Sequence, residues 1–106
     1  MSNFEERLDR LAEVPIKVGL GLQKGQEVVI TAPVEALPLV RRINAHAYRA
    51  GASLVTPLLS DDMLTLQRFN YAPDESFDKA SGWLFDGMAT AFRNGAARLA
   101  VVGDDP

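Results

Sequence analysis

The side chains that most often hold transition metals or serve nucleophilic catalysis are nearly absent from this chain. A single histidine, His46, and no cysteine leave almost none of the usual ligands for a transition metal or partners for a nucleophile. On a helix His46 shares a face with Arg42 and Arg49, and no carboxylate or second histidine stands at helical spacing to join it in holding an ion. The expected arrangement is therefore a solvated basic face carrying Arg41, Arg42, His46 and Arg49, with the histidine exposed near a helix C-terminus. No serine has a histidine partner, so a hydrolytic triad has no support.

Two acidic pairs, Asp61-Asp62 and Asp104-Asp105, each follow a predicted strand and could reach the crevice above the C-terminal edge of a sheet. That is the one arrangement with the hard oxygen ligands that Mg²⁺ prefers. Aspartate at a strand-to-helix junction is also an ordinary N-cap, and Asp-Pro an ordinary turn, so the two pairs read as caps and turns. Gly19-Leu20-Gly21-Leu22-Gln23-Lys24-Gly25 resembles a glycine-rich phosphate loop, but it precedes a strand, whereas a dinucleotide fingerprint follows one and opens a helix. It reads as a helix-terminating turn. The chain stops just after the apolar run Leu99-Ala100-Val101-Val102-Gly103, at the place where α/β proteins usually build their sites. No catalytic, cofactor-binding or metal-ligating residue is assigned, and these residues are expected to support a reaction rather than perform it.

The elements that position these residues follow from apolar spacing. Phe4, Leu8, Leu11, Pro15, Val18 and Leu22 recur every three or four residues, which predicts one helix with a buried stripe, bent at Pro15 and ending near 21–25. Glu27-Val28-Val29-Ile30-Thr31 is a β-branched run expected to be covered on both faces. A helix over 39–50 follows, with Pro38 in its first turn and Gly51 at its end. The next strand, 53–59, contains Pro57, which cannot donate to a ladder and points to a sheet edge. Asp61 or Asp62 is expected to cap a third helix running to about Phe69, and a short helical turn is expected after Pro73. Trp83, Leu84, Phe85, Met88 and Phe92 mark a fourth helix closed by Asn94-Gly95, before a last strand at 98–103. Strands alternating with helices predict a small three-layer α/β domain with a three-stranded parallel sheet in the order 2-1-3 and right-handed crossovers.

Composition sets outer bounds. With 106 residues, 47% apolar and 24% charged, the chain fits one small domain, expected to span 1–106 and to be soluble. Eleven basic residues against fourteen acidic ones give a net charge of −3, the wrong sign for gripping phosphate backbones, so no nucleic-acid partner is expected. No apolar stretch approaches the roughly 20 residues that cross a bilayer, so no membrane partner is expected either. The acidic, amphipathic start Asn3-Phe4-Glu5-Glu6-Arg7 is unlike an export signal. Together with the missing cysteines it fits a cytoplasmic location.

Several segments, in order and spacing, resemble the N-terminal part of the aminopeptidase T family of metallo-aminopeptidases, which includes leucyl aminopeptidases. They include Asn3-Phe4-Glu5-Glu6-Arg7-Leu8, Leu22-Gln23-Lys24-Gly25-Gln26, Ala32-Pro33-Val34-Glu35-Ala36, Ala47-Tyr48-Arg49-Ala50-Gly51-Ala52, Ser60-Asp61-Asp62, Tyr71-Ala72-Pro73 and Val102-Gly103-Asp104-Asp105-Pro106. The resemblance covers essentially the whole chain, and Pro15 departs from the helix former usual at its place. It implies an N-terminal domain of a larger two-domain enzyme that removes N-terminal amino acids from peptides. The implied enzyme is a homodimer using two divalent metal ions (Zn, Co, Mn or Mg). Its metal ligands lie in a downstream half and none maps here, so this domain is implied to be non-catalytic and to cover the catalytic domain. The alternative is a self-contained α/β binding module with a ligand at the C-terminal edge of the sheet.

Overall fold

A computed structural model describes residues 3–14 and 21–102. Helix α1 (Asn3–Val14) is followed by strand β1 (Glu27–Pro33), helix α2 (Leu37–Arg49) and strand β2 (Leu54–Ser60). Helix α3 (Asp62–Tyr71), helix α4 (Gly82–Arg93) and strand β3 (Ala97–Ala100) complete the order. Short 3₁₀ turns at Val34–Ala36 and Asp74–Ser76 precede α2 and α4. The sheet is parallel throughout, in the order β2-β1-β3, with Val28 opposite Val55 and Ala97, and Ile30 opposite Pro57 and Leu99. The expected fold class and strand order are therefore the observed ones.

Alternation along β1 builds the core. Val28, Ile30 and Ala32 point to one face and pack with Val55 of β2 and with Val40, Ile43 and Ala47, a stripe three and four residues apart on α2. Val29 is buried from the opposite face, where Glu27, Thr56 and Leu58 look toward α4 across a cleft of about 270 Å³. The sheet is thus covered closely by α2 and loosely by α4. Pro38 lies in the first turn of α2, where its missing donor costs nothing, and Gly51 follows the helix at φ +108. The turns that enter β1 and β2 are tied together, since Gly25 N–H donates to the Gly51 carbonyl at 2.7 Å.

Four expectations need revision or lie outside the described residues. Phe4 and Leu11 are not buried: they are 65% and 61% exposed on α1, whose described contacts with α2 include those of Asp9 with Arg42 and His46. Asp61 occupies the N-cap position of α3, yet its side chain makes no capping hydrogen bond; only its carbonyl is used, by Thr65. The last strand closes at Ala100 rather than 103, though Val101 N–H still donates to the Thr31 carbonyl at 2.8 Å. Pro15 with its expected bend lies outside the described residues, as do Gly19, Leu20 and the pair Asp104-Asp105.

Candidate functional site

The polar side chains singled out from the sequence fall at opposite ends of the sheet. At the C-terminal edge, the exits of β1 and β2 and the residues after β3 frame a cleft of about 830 Å³. Thr31, Pro33, Glu35, Ser60, Asp62 and Val101 line it. Glu35 enters because the 3₁₀ turn carries the chain across the end of β1, and Asp62 because α3 starts directly beyond β2. Asp61 is half-buried and does not line the cleft. Ser60 Oγ donates, at 3.4 Å, to the Ala32 carbonyl. The cleft therefore offers two carboxylates and backbone polar groups, with no imidazole and no activated hydroxyl.

His46 lies toward the other edge, because α2 returns antiparallel to β1 and carries it near the turns that open the strands. It is not the exposed basic residue that its neighbours suggested. Its side chain is 12% exposed, and Nε2 lies 2.9 Å from Oδ1 of Asp9 on α1. The same carboxylate oxygen is 3.9 Å from Arg42 Nη1. Asp9 stands 37 residues away in the chain, so no spacing rule within one helix could have paired the two. Arg41, Arg42 and Arg49, with Pro38 and Ala45, flank a groove of about 320 Å³ beside Asp9. The sequence-predicted basic face is thus real at Arg41 and Arg49, and it is interrupted at His46 by the contact with α1.

Among the described residues Asp9 and His46 are the only acid–imidazole pair, and Arg42 beside them works against a divalent cation. Among the described residues no group of three or more His, Asp or Glu side chains converges as a metal site. A catalytic metal that activates water normally needs three protein ligands and an open position. The described residues do not fit such a centre. In the glycine-rich segment Gly21 and Gly25 have positive φ and Gln26 Oε1 accepts from Gln23 N–H at 2.9 Å, while the helix it was expected to terminate would lie at 15–20, outside the described residues.

The model of a family described as thermophilic metalloprotease (M29) matches residues 4–106. The chain belongs to that family. It is 55% identical over all of its 106 residues to aminopeptidase T of Thermus thermophilus, and 50% identical to aminopeptidase T of Thermus aquaticus. Identity to aminopeptidase 2 of Geobacillus stearothermophilus is 38%. A solved structure, wild-type AmpT from Thermus thermophilus, superposes with a TM-score of 0.91 over 97% of the chain. In each case the chain spans 26% of the other protein's length, about a quarter of these M29 relatives. Sequence reasoning reached the family and missed the Asp9–His46 contact, for which the only available hint was the amphipathic character of the segment that became α1.

Proposed function

We propose that this chain is the N-terminal domain, spanning 1–106, of a metal-dependent aminopeptidase that removes N-terminal amino acids from peptides. Within that enzyme it supplies no metal ligand and covers the catalytic portion, restricting access to the cavity where peptides are cut. The observation that carries the reading is 55% identity to an aminopeptidase T along the entire chain while only 26% of that relative is spanned. The scattering of polar donors supports the non-catalytic role: the carboxylates of the cleft and the single imidazole sit at opposite sheet edges. The enzyme proposed is a cytoplasmic homodimer working with two divalent ions drawn from Zn, Co, Mn or Mg, with peptides as partners rather than nucleic acid or membrane. No helix among the described residues is long and apolar enough to cross a membrane.

The test compares the 106-residue chain with the longer gene product in added Zn²⁺, Co²⁺ or Mn²⁺. Turnover of leucyl-p-nitroanilide and metal retained after dialysis are measured on both. Activity and stoichiometric metal are expected only in the longer protein. Metal-dependent turnover by the short chain would overturn the non-catalytic role, and an inactive longer protein would overturn the aminopeptidase reading.

A further inference from the structure

The surface built by α3, α4 and the segment joining them is unlike that of a finished domain. All ten residues of α3 are exposed, among them Met63, Leu64, Leu66, Phe69 and Tyr71. At about 100° per residue these five spread over roughly 220° of the helix circumference, whereas a helix lying on a surface shows a narrower apolar stripe. An apolar arc this wide is the mark of a helix covered from more than one direction. On α4, Trp83 and Phe85 are exposed as well, at 79% and 58%. The joining segment is nonetheless tied to α3. Arg68 Nη2 donates to the carbonyls of Ser76 and Lys79 at 3.2 and 2.8 Å, and Phe69 and Phe77 lie with ring centroids 6.2 Å apart. Exposed apolar side chains gathered in this number mark a docking face.

We infer that the α3–α4 face is where the catalytic portion of the same polypeptide docks, enclosing α3 on several sides. This rests on the aminopeptidase reading given above. Three observations favour that occupant over a second copy of this domain. A two-fold partner presents one face and leaves part of a helix that is apolar over roughly 220° in water. The relatives carry about three quarters of their length outside the matched stretch, ample material to surround a ten-residue helix. The radius of gyration, 16.0 Å, exceeds the roughly 13 Å of a compact domain of about 100 residues, with a thinnest dimension of 18 Å. Such a slab has the shape of a layer within a larger body.

Hydroxyl-radical footprinting of the longer gene product tests this, reading Met63, Phe69, Tyr71 and Trp83 against the same protein in urea. Modification in the native protein is expected to be at least about ten-fold lower at all four, and to stay low on dilution to the monomer. Labelling near the urea level overturns the inference. Protection that disappears on dilution overturns it too, because the occupant is then a second copy. Leucyl-p-nitroanilide turnover on the same sample separates the two readings. Activity with labelled aromatics refutes the docking face alone, and protection without activity refutes the aminopeptidase assignment alone.

Discussion

His46 shows how a side chain's role depends on what the fold brings beside it. Its neighbours along α2 are arginines, but its hydrogen-bond partner is Asp9, contributed by α1 at 2.9 Å. A hydrogen bond of this kind, half-open to solvent on the aspartate side, contributes on the order of 1 kcal/mol. Asp9→Ala and His46→Ala are each expected to lower stability by about that amount and, combined, to lower it by less than the sum, because both remove one contact. Urea unfolding of the two single variants and the double variant measures this; strict additivity would show that the pair is not coupled. Arg42→Ala, whose guanidinium is 3.9 Å from the same oxygen, is expected to change stability by less than about 0.5 kcal/mol. Gly51 is a second position where one atom decides. At φ +108 an added Cβ would stand 3.2 Å from the Lys24 backbone, so Gly51→Ala is expected to cost about 1–3 kcal/mol in the same measurement. The glycine was legible in the sequence as a helix end; the approach of Lys24, from a turn distant in sequence, was not.

At the scale of elements, what was legible is what local pattern determines. The β-branched run at Val28-Val29-Ile30 became the central strand, and the spacing of Val40, Ile43 and Ala47 became the buried stripe of α2. What was not legible is which faces find cover. Phe4 and Leu11 have a sound helical period, yet period says only that a face is apolar, and these two side chains stay exposed on α1. Asp61 has the right type for a cap and stands at the N-cap position, but residue type does not say which way a side chain turns, and this one makes no capping hydrogen bond. The contrast between covered and open elements gives a sharp expectation. Ile43→Ala, at 2% exposure, should cost about 2–5 kcal/mol, whereas Leu64→Ala, at 65%, should change the stability of the 106-residue chain by less than about 0.5 kcal/mol. Equal losses at the two positions would mean that α3 belongs to the core after all.

For the whole molecule, the question is which surface governs its behaviour alone in solution. The β2 edge looks hazardous, since Leu54 and Leu59 are exposed on it, but its backbone is largely blunted. Val55 N–H is taken by the Tyr48 hydroxyl at 2.9 Å, and by strand alternation the next donor on that side belongs to Pro57, which has none. The apolar side chains of α3 and α4 have no such protection, and a net charge of −3 supplies little repulsion. The 106-residue chain is therefore expected to associate through α3 rather than through the sheet edge. In sedimentation velocity, the weight-average coefficient should rise with concentration without settling at a dimer. Phe69→Glu, which places a charge on the open helix, should suppress that rise, while Leu59→Lys on the blunted edge should leave most of it. The reverse ranking would show that strand pairing drives association, and a chain that stays monomeric at high concentration would show that the α3 face tolerates water without a partner.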